Sequence, residues 1–137
     1  MNNSLIRYGF ILILLGLLAG FLGPMAKAPS LLISSHMIGM MGGILLIAMG
    51  AVWSRFTLSE RGKSILKWSW LYTNFGNWLG VLTAAMTGAT NFLEINGGPP
   101  ADAGFANLFV SFMMLSISLA AIVASVTAIM GLKSDAT

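Results

Sequence analysis

The sequence predicts an all-α fold: a four-helix transmembrane bundle with both termini on the cytoplasmic side. Three observations predict it. Only 8% of the 137 residues are charged and 57% are hydrophobic, too little charge to cover the surface of a water-soluble domain. The charges leave four empty windows, between Arg7 and Lys27, Lys27 and Arg55, Lys67 and Glu94, and Asp102 and Lys133. Each is at least as long as the roughly 20 residues that span a hydrocarbon core. The cations are also lopsided. Arg7, Arg55, Arg61, Lys63, Lys67 and Lys133 fall on one side of such a bundle; Lys27 alone, with Glu94 and Asp102, falls on the other. The positive-inside rule then places both ends in the cytoplasm, in the inner membrane of a cell that has two.

The first helix is expected at about residues 5–22, ending at Gly23-Pro24. Arg7, the apolar run and Ala26-Lys27-Ala28 also fit a cleavable signal, but the run from Tyr8 to Ala26 exceeds a usual signal core, so it is read as a retained span. The second helix is expected at residues 31–53 with Ser30 as its N-cap, followed by a polar loop over 55–67. The third spans 68–91. Asn96-Gly97-Gly98-Pro99-Pro100 marks a turn region, and the fourth helix spans 105–132. The windows fill the chain, so residues 1–137 read as one integral membrane domain. Trp53, Trp68 and Trp70 sit where an aromatic belt is expected at the cytoplasmic boundary.

Gly16 and Gly20, Gly39 and Gly43, and Gly76 and Gly80 form Gly-x-x-x-Gly steps, and Ser111, Ser118 and Ser125 form a heptad stripe. Small residues let helix backbones approach in lipid, so a closely packed bundle is expected. The sequence pI of about 9.7 does not imply nucleic-acid binding, because the basic residues mark helix ends. The absence of cysteine excludes disulfides, iron–sulfur clusters and thiolate metal sites.

His36 is the one histidine and the only readily titratable side chain well inside an expected span. It lies about five residues into the second helix, roughly 8 Å below its outer end. Two readings stand. A neutral ring could bond a carbonyl or hydroxyl on a neighbouring helix, or a ring nitrogen could ligate a metal or haem iron. One histidine cannot build a zinc site, whereas haem needs a single protein ligand because the porphyrin supplies the other four. Gly39 and Gly43, one and two turns beyond, bare the helix surface for either a flat cofactor or another helix. On the third helix Thr73 and Asn77 share a face, with Asn74 beside them. A mid-membrane amide must find a partner, so these residues either orient a substrate or join helices. With no acid inside any span, a hydrolytic triad and a proton pump are both excluded.

The stretch Arg7 to Gly20, then Ser34-Ser35-His36 with its glycine- and methionine-rich sequel, then Leu71-Tyr72-Thr73-Asn74-Phe75-Gly76-Asn77-Trp78, resembles the hydroxylaminobenzene mutase family and its apparent relatives, the styrene oxide isomerases. The resemblance implies a four-span membrane isomerase. Its activity would convert aryl hydroxylamines to aminophenols, or aryl epoxides to aldehydes, without net oxidation or reduction. It further implies a homo-oligomer, a trimer, with ferric haem b bound by His36 as metal ligand and by the surface of Gly39 and Gly43. The substrate would be a small hydrophobic aromatic molecule oriented by Asn77, Asn74 and Thr73. The sequence departs from the family patterns at Gly42, where both families tend to carry asparagine, at Ile38, where mutases often carry glutamate, and at Thr73 and Val81, where the epoxide isomerases carry aspartate and tyrosine. These departures imply a divergent substrate, other than styrene oxide itself, or the loss of isomerase activity. A non-enzymatic haem-binding or accessory membrane subunit is the alternative reading.

Overall fold

The computed structural model describes residues 1–89 and 104–132. The expected Asn96–Pro100 turn and the topology markers Glu94, Asp102 and Lys133 lie outside them; the third helix, expected to run to Asn91, ends instead at Thr87, where Gly88 turns the chain out of the helix. The described residues form four α-helices: α1 (Asn3–Ala19), α2 (Pro29–Ala51), α3 (Glu60–Thr87) and α4 (Phe105–Gly131). The Asn3–Met25 segment, α2 and α4 are long and apolar enough to cross a membrane. Along α3, Thr73, Asn74, Asn77, Thr83 and Thr87 interrupt the apolar run. Large apolar side chains on α1, α2 and α4 point outward, among them Phe10, Leu14, Leu18, Ile33, Met41, Phe112 and Ile129. Such a surface suits lipid and would be untenable in water.

Local chemistry sets the helix ends. Asn2 caps α1, its Oδ1 accepting from Leu5 N at 3.3 Å. The expected cap at Ser30 is corrected: Pro29 occupies the first turn of α2, where its missing N–H costs nothing and its fixed φ suits the helix. The expected loop over 55–67 is also shorter than read. Ser59 accepts from Gly62 N at 3.2 Å and starts α3 at Glu60, whose carboxylate holds Lys63 at 3.0 Å. An N-cap followed by an acidic first turn is a sufficient start signal even in a charged stretch. Gly88, at φ 74°, ends α3 in the left-handed conformation that glycine adopts without strain.

Backbone hydrogen bonds fix which ends lie together. Asn2 N donates to Gly50 O at 2.8 Å, and Thr57 N to Gly131 O at 2.8 Å. The start of α1, the α2–α3 connection and the end of α4 thus share one end of the molecule. Ala28 N donates to Ala85 O at 3.0 Å at the other. Within the bundle α2 is central, with α1 on one side and α3 on the other, and α4 lies along α3. Leu5, Leu12, Leu46 and Leu71 form the buried cluster that joins α1, α2 and α3.

Glycines decide the closest approach. A Cβ built on Gly39 would stand 2.6 Å from Gly16 Cα, and one on Gly43 would stand 2.5 Å from Gly9 O. No side chain fits in either place, so α1 and α2 meet backbone to backbone. Gly76 and Gly80 instead receive Ile117, Met113 and Met114 of α4. The expected serine stripe does not pack: Ser118 and Ser125 are exposed, and Ser118 Oγ bonds its own helix at Met114 O. That local bond satisfies the hydroxyl without a neighbouring helix.

Candidate active site

His36 stands on the second turn of α2, half-buried, on the face that meets α1. Its Nδ1 lies 2.8 Å from the carbonyl oxygen of Gly16. A carbonyl only accepts, so Nδ1 carries a proton, and in the neutral ring Nε2 then keeps its lone pair. The carbonyl is available because α1 ends there. In a continued helix the N–H of Gly20 would bond it, but that N–H turns to the carbonyls of Leu17 and Leu18. The chain then tightens into a 3-10 turn, Gly20–Met25, containing Pro24. The imidazole thus satisfies one of the orphan carbonyls of a helix C-terminus.

The ring borders a cavity of about 310 Å³ lined by Gly20, Gly23, Pro29, Leu32, Ile33 and His36. Gly20, Gly23, Pro29 and Ile33 are exposed, so a single chain leaves the cavity open on its outer flank. A Cβ on Gly20 would stand 3.4 Å from His36 Nδ1 and 3.8 Å from Cε1, so glycine there leaves the ring edge bare. The two readings of His36 therefore coexist in one geometry. One nitrogen bonds a neighbouring carbonyl, and the other is free to act as a ligand.

Gly39 and Gly43 lie on the α1 side of α2, and their surfaces are filled by Gly16, Trp78 and Ile13. The nearest atoms to them belong to α1 and α3. The bare surface beside the histidine is that of Gly20 and Gly23.

Thr73, Asn74 and Asn77 belong to a second locality, the seam where α3 meets its neighbours. Asn74 is buried; its Nδ2 donates to Trp70 O at 2.8 Å. Its Oδ1 lies 2.9 Å from where a Cβ on Gly42 would be. Glycine at 42 therefore makes the room that the Asn74 amide fills. Thr73 Oγ1 is buried without a hydrogen-bond partner, as are Ser35 Oγ and Trp78 Nε1. The amide of Asn77 is half-buried. The structure brings Asn74 against α2 one to two turns below His36, and none of the three residues lines the histidine's cavity. Among the described residues no group of three histidine, cysteine or carboxylate side chains could hold a bare metal ion.

Sequence reasoning missed Gly16 and Gly20 as site residues, treating them only as a packing step. Their signal was the Gly23-Pro24 break just after them, which frees carbonyls one turn earlier.

Comparison with known proteins places the chain in a family. The sequence profile of the styrene oxide isomerase family matches residues 1–133. Over 133 residues, 96% of this chain, the chain is 33% identical to the hydroxylaminobenzene mutase HabB of Ectopseudomonas oleovorans, covering 81% of that protein. It is 32% identical to the mutase HabA of the same organism, again over 96% of this chain and covering 98% of that protein. No solved structure matches the chain. The chain belongs to the styrene oxide isomerase family and is an isomerase.

Proposed function

We propose that the chain crosses the inner membrane four times, with both termini in the cytoplasm. There it rearranges a small aromatic oxygen compound beside a ferric haem b held by His36. The reaction class is that of its mutase relatives, aryl hydroxylamine to aminophenol, or of its family's epoxide isomerases, aryl epoxide to aldehyde. The observation that carries this reading is the Nδ1–H bond from His36 to Gly16 O at 2.8 Å. Metal-ligating histidines almost always donate the second ring N–H to a carbonyl, carboxylate or water, which fixes tautomer and orientation and raises ligand basicity.

The residues fit a haem better than a bare ion, since one free imidazole nitrogen suffices. His36 would hold the iron, and the bare backbone of Gly20 and Gly23 would admit the macrocycle beside the ring. When bound, ferric haem supplies a Lewis acid for the substrate oxygen. Pro29, Leu32 and Ile33 line the cavity and keep water away, which favours rearrangement over hydrolysis. Thr73, Asn74 and Asn77, on the α3 seam outside this cavity, would orient the aromatic molecule only where it extends from the cavity to that seam. A second copy of the chain would close the open flank, in a homo-oligomer such as a trimer.

An absorption spectrum of the detergent-solubilised protein, with and without His36→Ala, tests the ligand; a Soret band lost in the variant is expected. Conversion of an aryl hydroxylamine with no added reductant tests the reaction. A haem-loaded protein that converts neither substrate class would instead support electron transfer or an accessory role.

A further inference from the structure

We propose that the groove between α1 and α3, at the end of the molecule opposite His36, is a binding site for an anionic phospholipid. Two cavities meet there. One, of about 410 Å³, is lined by Tyr8, Ile11, Trp68, Leu71, Tyr72 and Phe75. The other, of about 550 Å³, is lined by Asn3, Ser4, Arg7, Tyr8 and Ile11. Tyr8 and Ile11 belong to both, so the two form one trough, apolar and aromatic along its length and polar and cationic at its mouth.

The trough exists because α1 and α3 pack on α2 from either side and touch each other only sparsely. Its walls are stiff. Tyr8 meets Phe75 edge to face at 6.4 Å between ring centroids. Tyr72 shares a 2.7 Å hydrogen bond with Ser116 of α4. The apolar part, about 410 Å³, offers an acyl chain aromatic walls that give contact area at little entropic cost.

The charge at the mouth selects the occupant. Arg7 is exposed there. Lys67 Nζ lies 5.8 Å from the centre of the Trp68 ring that walls the trough. Glu60 is the one carboxylate among the described residues, and it is held by Lys63. Among the described residues no acidic group lines the mouth to receive the ammonium of a choline or ethanolamine headgroup. Arg7, with the Asn3 amide lining the same mouth and Lys67 over the Trp68 wall, suits a phosphate that carries net negative charge.

Native mass spectrometry of the full-length protein, with phosphatidylglycerol and phosphatidylcholine of identical acyl chains, tests this. Retention of phosphatidylglycerol at least about tenfold above phosphatidylcholine is expected, each basic contact contributing about 1 kcal/mol. Arg7→Gln with Lys67→Gln should abolish the preference. Ile11→Trp, which fills the trough and keeps both charges, should weaken both lipids. Equal retention of the two lipids, an unchanged preference in the double variant, or displacement by excess inorganic phosphate alone would each overturn the assignment. So would a second copy of the chain crosslinking through Ile11→Cys in lipid-saturated protein.

Discussion

At the level of single residues, His36 is placed by a helix end rather than by other side chains. Its Nδ1 proton is committed to Gly16 O, so only Nε2 can meet a metal. Replacing His36 by alanine would remove the proposed haem ligand and leave the carbonyl unpaired. The expected result is loss of the Soret band and a fall in turnover of at least about a thousandfold, the equivalent of about 4 kcal/mol of Lewis-acid stabilisation. Absorption spectroscopy and single-turnover assays check both. Gly20 separates space from backbone freedom. Its Cβ would lie 3.4 Å from Nδ1, tight but tolerable, so Gly20→Ala should retain the haem. Gly20→Ile would force the ring away from Gly16 and should weaken haem binding about 10–100-fold, the usual cost of disturbing a ligand's outer hydrogen bond. Titration of apoprotein with haemin separates the two variants. The histidine itself was legible in the sequence, because an ionisable group inside an apolar window stands out. Its partner was not. A backbone carbonyl leaves no mark in a sequence, and only the Gly23-Pro24 break hinted that α1 releases one.

Helix pairing explains why the glycine steps were half legible. Spacing shows that Gly39 and Gly43 share a face of α2, but it cannot say what covers that face. The structure puts α1 there, with Gly9 O at 2.5 Å from a Cβ on Gly43 and Gly16 Cα at 2.6 Å from one on Gly39. Because those neighbours are backbone, they cannot swing aside. Gly43→Ala should therefore destabilise the α1–α2 pair by about 1–3 kcal/mol, the usual penalty of overpacking. Unfolding in mixed micelles would measure it. Gly23→Ala provides the control, since nothing lies within 4 Å of its Cβ position. The same logic explains the early start of α3. Arg55 to Lys67 looked like a loop because it is charged, yet Ser59 and Glu60 carry a start signal that outweighs polarity at a membrane boundary.

For the whole molecule, the four charge-free windows made the helices legible, since apolar length is the physical requirement for crossing lipid. The cavity is a different matter, because it depends on where α1 breaks and on what stands outside a single chain. Around His36 the lining splits into a buried wall at Leu32 and an exposed flank at Gly20, Gly23, Pro29 and Ile33. A haem left on that flank would face lipid along one edge. Closure by a second copy would bury it, and haem loading and assembly should then rise and fall together. Ile33 tests this, being 65% exposed on the open flank and clear of the Gly16 bond. Ile33→Glu sets a carboxylate at the expected contact, where an unpaired charge costs about 3 kcal/mol or more. Mass photometry should show dissociation toward single chains, with the Soret band lost in parallel and helix content by circular dichroism unchanged. A monomeric variant that keeps its haem would show that one chain suffices for the cofactor; an intact oligomer that loses it would locate the damage at the ring.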